Sequence, residues 1–190
     1  HKMYAGLRDA WVYCGNEQAK ALFLGFCDWA IDLTSGLSDE QVENMLGNEH
    51  GGMNEVLADA YAISGEEKYI DCAKRFSHKR LLKPMSQHQD CLTNMHANTQ
   101  VPKAVGFERI SELTGDETYH TASSYFWETV TGYRSLAFGG NSRREHFPSD
   151  DSCMDFINDI DGPESCNTHN MLKLTENLHR RNPEARFADY

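Results

Sequence analysis

Three histidines stand at matching points of the chain. His1, His50 and His96 precede the glycines Gly15, Gly65 and Gly115 by 14, 15 and 19 residues. A neutral imidazole donates at one ring nitrogen and accepts at the other, so histidines in register can line one polar pocket. One such histidine alone would more often cap a helix or hold a loop; three in register favour a shared site. Two carboxylates, Glu145 and Glu164, lie 19 residues apart at the ends of a loop-like stretch that can fold back on itself. Paired carboxylates in unlike surroundings suit glycoside hydrolysis, where one must carry the proton given to the leaving oxygen. Glu164 also stands two residues before Cys166. Carboxylate and thiolate both bind zinc, yet a zinc site needs three or four protein ligands and this pair supplies two. The neighbouring Asp150, Asp151, Asp155, Asp159 and Asp161 read as a solvated acidic run. Glu164 also suits the first turn of a helix as a simple carboxylate.

These residues need a scaffold, and the turn glycines describe it. Gly15, Gly65 and Gly115 are spaced 50 residues apart, each in a similar short turn followed by an acidic residue. A fixed period of this length marks a repeated supersecondary unit. A glycine closing an apolar periodic run is a helix C-cap, and the following acid suits the next helix start. Val56, Leu57, Ala60, Tyr61 and Ile63 keep helical spacing before Gly65, and Tyr69, Ile70, Ala73 and Phe76 keep it after. A fourth unit follows in Met171, Leu172, Leu174 and Leu178, turning at residues 181–184. No alternating strand pattern is found. The spacing predicts an all-α array of about four helical hairpins, joined by long connections over 33–52, 84–96 and 136–165 that open on one face. Ser38 and Gln41 form the signature of a capping box inside the first connection. Closed into a ring of six hairpins, such units need roughly 300 residues.

Composition narrows the partners. With 18 Lys and Arg against 29 Asp and Glu the net charge is −11, which argues against nucleic acid and anionic membrane surfaces. Mean hydropathy is −0.63, and no apolar run reaches a membrane-spanning length, so no membrane insertion is expected. The six cysteines form no C-x-x-C motif; Cys14, Cys27 and Cys72 sit in helical patterns and read as buried free thiols.

The blocks HKMYAGLRDA, EHGGMNEVLADAY, HANTQVPKAVGFERISELTGDETY, GGNSRREHF and GPESCNTHNMLKLT resemble the β-L-arabinofuranosidases of glycoside hydrolase families 127 and 146, the second more closely. The resemblance covers essentially the whole chain. It implies an (α/α)6 toroid, of which residues 1–190 form a partial catalytic domain, with the rest of the barrel and β-sandwich domains beyond it. It further implies release of β-L-arabinofuranose from a plant glycan, with retention, by a zinc-bound cysteine nucleophile. Carried over by motif, Glu145 is the general acid/base, and Glu164 and Cys166 are two zinc ligands. His1, His50 and His96 line the sugar pocket. Asn54 and Gln100, one turn into their helices, are added as substrate-binding residues. The sequence departs from the family in one respect. The remaining ligands and the nucleophile come from a Cys-Cys pair, and these 190 residues contain no adjacent cysteines. The expected partner is therefore the remainder of its own barrel, and the chain by itself is expected to be inactive and to bind zinc weakly. Two rivals stand beside this reading: a metal-free α/α-toroid hydrolase of an acidic sugar, with Arg143 and Arg144 as its cationic clamp, and a non-catalytic sugar-binding helical array.

Overall fold

The computed structural model describes residues 1–149 and 159–190. Asp150, Asp151, Cys153 and Asp155 of the third long connection lie outside the described residues. The described residues form ten helices: α1 (Lys2–Cys14), α2 (Glu17–Ser35), α3 (Asp39–Met45), α4 (Met53–Ser64), α5 (Glu67–Arg75), α6 (Lys79–Ser86), α7 (Ala97–Thr114), α8 (Glu117–Tyr133), α9 (Ser165–Arg181) and α10 (Ala185–Asp189). The fold is all-α, a set of helical hairpins belonging to an α/α toroid. None of the described helices is long and apolar enough to cross a membrane.

The hairpins follow from their turns. Gly15, Gly65 and Gly115 adopt φ of 66°, 75° and 72°, the left-handed conformation that costs other residues a Cβ clash. Each glycine N–H donates 2.8 Å back to the preceding helix, to the carbonyls of Trp11, Tyr61 and Ser111 respectively. Asn16 and Asp116 then cap the next helices, accepting from Ala19 N and Thr118 N, both at 3.0 Å. The capping box at Ser38 and Gln41 forms as expected. The second hairpin differs from expectation: its outer helix breaks after Arg75, and α6 begins afresh from His78. Helix thus extends to Ser86, into the stretch expected as connection.

The pairs α1–α2, α4–α5, α7–α8 and α9–α10 are the four hairpins. Inner helix α4 packs on α7, and α7 on α9, so successive hairpins stand side by side. Helix α7 is flanked by α4, α8 and α9, and is accordingly buried almost throughout Ala97–Ser111. Polar residues there must be paired. Close approach of α4 and α7 depends on Gly106, whose missing side chain leaves room for the Asn54 amide; a Cβ there would overlap it. Asn54 uses that room to donate 3.0 Å to the Lys103 carbonyl. Gly106→Ala is therefore expected to cost about 1–3 kcal/mol, read as a lowered urea midpoint.

Charges also join the inner helices. Arg8 of α1 reaches Asp59 at 2.5 Å and Glu55 at 3.2 Å, both on α4. Arg109 of α7 pairs with Asp59 at 2.7 Å, and Lys173 of α9 with Glu55 at 3.1 Å. Four inner helices thereby share two largely buried carboxylates. Among the described residues the cysteines are free. Cys27 and Cys72 are buried, and burial pushes their thiols up to about 12 and about 11, far from reactive thiolate. Cys14, expected in the core, is exposed, because it is the last residue of α1 beside the turn.

Candidate active site at the start of the inner helices

The inner helices begin on the same side of the array, and the long connections deliver their residues there. Residues 94–97 pair with 145–147 as a short antiparallel ladder: Phe147 N donates to Met95 O at 2.9 Å, Asn94 N to Phe147 O at 2.9 Å, and Ala97 N to Glu145 O at 2.7 Å. Arg143 and His146 close a tight turn by exchanging backbone bonds of 2.9 and 3.0 Å. The two residues at its tip are Arg144 and Glu145, with φ of 46° and 66°. A two-residue hairpin of this hand normally uses Asn-Gly. Two side chains held at positive φ cost roughly 1–3 kcal/mol each, and such strain concentrates at functional sites. Here it aims Glu145 over the start of α7. Arg134, 2% exposed, fastens both partners of the ladder by bonds to Asp90, Thr93 Oγ1 and the Pro148 carbonyl.

His96 caps α7. Its Nδ1 accepts from Thr99 N at 3.3 Å, so the ring proton sits on Nε2, 3.8 Å from Glu145 Oε2. His50 is arranged the opposite way. Its Nδ1 donates to the Asn48 carbonyl at 3.1 Å, which leaves Nε2 as a bare acceptor, buried and without a partner. Burial, and then the charge of Lys103, lowers its pKa and keeps it neutral. His1 lies over the Gly51-Gly52 turn, where a Cβ on Gly51 would come 2.5 Å from its Nδ1, and its Nε2 is also buried without a partner. Gln100 donates from Nε2 to His96 O at 3.2 Å. Gln100 thus meets His96 at the start of α7, and His1 meets the turn that follows His50 at the start of α4. Asn54 sits deeper. It is fully enclosed between α4 and α7, where its Nδ2 links the helices and its Oδ1 is buried without a partner among the described residues.

Glu164 and Cys166 open α9, and Glu164 shares an open groove with Glu145. Ser142 anchors this start, accepting from Asn167 Nδ2 at 2.7 Å and from Glu164 N at 3.4 Å. Cys166 Sγ donates to Glu164 Oε2 across 3.3 Å. Two ligands on a tetrahedral zinc, with Zn–S of about 2.3 Å and Zn–O of about 2.0 Å, would stand about 3.5 Å apart. The pair therefore fits two corners of such a site. Among the described residues no group of three His, Cys, Asp or Glu could hold a metal ion. Arg143 and Arg144 both turn to Asp159, at 2.8 and 3.1 Å.

Lys103 and His78 escape a reading of the sequence. Lys103 is buried inside α7 and donates to His78 Nδ1 at 2.9 Å. Burial and that ammonium push His78 down to about 4. Between an unfolded value near 6.5 and 4, the unfolded chain binds a proton at His78 that the folded chain does not, so stability falls as pH falls through this window. Urea midpoints measured from pH 7 to 4 are expected to drop, and to drop less in His78→Gln.

No curated protein matches the chain. Residues 1–190 do match the model of the β-L-arabinofuranosidase GH127 catalytic domain, and with a toroid-type helical array bearing a carboxylate over its inner helix ends, the chain belongs to that family of glycoside hydrolases.

Proposed function

We propose that this chain supplies the acid/base and most of the sugar-binding edge of a hydrolase that releases β-L-arabinofuranose from plant glycans with retention. The observation that carries the reading is Glu145, strained into place with Oε2 3.8 Å from Nε2 of His96 and facing one groove with Glu164. Glu145 gives its proton to the leaving glycosidic oxygen in the first step and takes one from the attacking water in the second. His96 offers a donor and His50 an acceptor, a complementary pair for sugar hydroxyls, each of which both donates and accepts. His1 and Gln100 extend that edge. Glu164 and Cys166 would hold zinc as two of its ligands, and the remaining ligands and the cysteine nucleophile come from outside these 190 residues. Zinc bound there would keep the coordinated thiols as thiolates and make them better leaving groups.

Two observations bear on the rivals. The acidic-sugar reading relies on Arg143 and Arg144, and both engage Asp159. A purely binding array has no use for a strained carboxylate at its rim. The test is the full-length protein on p-nitrophenyl β-L-arabinofuranoside, with the product anomer followed by NMR and zinc quantified in the same sample. Turnover with the β-anomer formed first, at about one zinc per chain, is the expected result. No turnover and no zinc would overturn the reading.

A further inference from the structure

Lys103 is 1% exposed, and its ammonium bonds to three neutral acceptors: Gln100 Oε1 at 3.1 Å, His78 Nδ1 at 2.9 Å and the Leu46 carbonyl at 3.4 Å. Enclosing a cation with no carboxylate in its first ring of contacts is expensive, and an apolar residue of similar volume would pack α7 more favourably. The polarity must therefore serve something besides stability. An ammonium can only donate. It dictates that the carbonyl end of the Gln100 amide turns toward it. The amide nitrogen is then forced to the other side, where one hydrogen goes to His96 O at 3.2 Å and the second has no protein acceptor among the described residues. The far side of Lys103 is fixed in turn. His78 accepts through Nδ1 and so carries its proton on Nε2, 3.5 Å from Glu43 Oε1, while Glu43 caps α6 through Lys79 N and Arg80 N at 3.0 Å each. A line of contacts thus runs from α3 and α6 through Lys103 to the edge of the site.

We propose that Lys103 is a positioning residue: it fixes which end of the Gln100 amide faces the sugar, and acts on substrate through Gln100 alone. This rests on the assignment of Gln100 to the sugar-binding edge. Lys103 lies three residues after Gln100 and seven after His96, on the same helical face.

The test is a double-mutant cycle in the full-length protein, using Gln100→Ala, Lys103→Met and the two combined, with p-nitrophenyl β-L-arabinofuranoside as substrate. Each single change is expected to raise KM about 2- to 10-fold, the worth of one hydrogen bond, with kcat little altered. The combined variant is expected to be no worse than Gln100→Ala, because Lys103 has nothing left to orient. A Lys103→Met penalty that persists in full beside Gln100→Ala marks a structural role and overturns the proposal. A crystal structure of full-length Lys103→Met gives a readout free of turnover. Gln100 displaced or turned supports the proposal, and Gln100 unmoved overturns it. If the wild type does not cleave the arabinofuranoside, the functional reading fails, and the crystal structure still decides the case of Lys103. Should Lys103→Met not fold, Lys103→Gln is judged by the same cycle and the same structural criterion.

Discussion

Glu145→Gln in the full-length protein is expected to lower kcat/KM on an alkyl β-L-arabinofuranoside by about 10²- to 10⁴-fold, the usual worth of a placed general acid/base. The loss should depend on the leaving group. An alkoxide is a poor leaving group and needs the proton that Glu145 supplies. A p-nitrophenolate leaves largely unaided, so the first step on that substrate should suffer much less. Glutamine keeps the size of Glu145 and its backbone at φ 66°, so the turn between Arg143 and His146 stays as it is. The deficit can then be assigned to the lost proton rather than to a moved loop. Equal losses on both substrates, or activity retained on the alkyl glycoside, would remove Glu145 from the acid/base role.

How far such a site can be read from sequence depends on whether the requirement is local. The hairpins were legible because a left-handed C-cap is a backbone requirement met at Gly15, Gly65 and Gly115 by one residue type. Position in the repeat also set His1 and His96 at equivalent places, the N-cap positions of α1 and α7. What the sequence hides is pairwise across helices. Asn54 occupies the same offset from the helix start as a pocket residue would, and only the neighbouring helix, through Gly106, decides that its Nδ2 bonds between α4 and α7. The break before His78 is similarly hidden, since Tyr69, Ile70, Ala73 and Phe76 keep an unbroken helical period up to it. Lys103 did leave a signal: a lysine in the middle of an otherwise enclosed helix is rare without a partner or a task. The strain at Arg144 and Glu145 left none, because neither residue type announces a positive φ.

Cys166→Ser is expected to weaken zinc binding by the full-length protein more than about 100-fold, beyond the 10- to 100-fold that loss of a mere outer-shell partner brings. The geometry explains why this residue should matter so much. Glu164 stands at the N-cap position of α9 with its side chain free of capping, and Cys166 follows within the first turn, so the helix start presets their 3.3 Å separation with no metal needed to draw them together. A serine hydroxyl fills nearly the same space, yet stays protonated at neutral pH and makes a poor zinc ligand, so packing is kept while the donor is lost. Glu164→Gln should act in the same direction for the same reason. Cys91→Ser is the control: that thiol is directed to the Arg80 carbonyl, and its loss should leave zinc content unchanged. Zinc counted after equilibration against a graded chelator reads all three variants without reference to turnover. A Cys166→Ser protein that holds metal as tightly as the wild type would leave the thiol as a half-buried partner of Glu164 and nothing more.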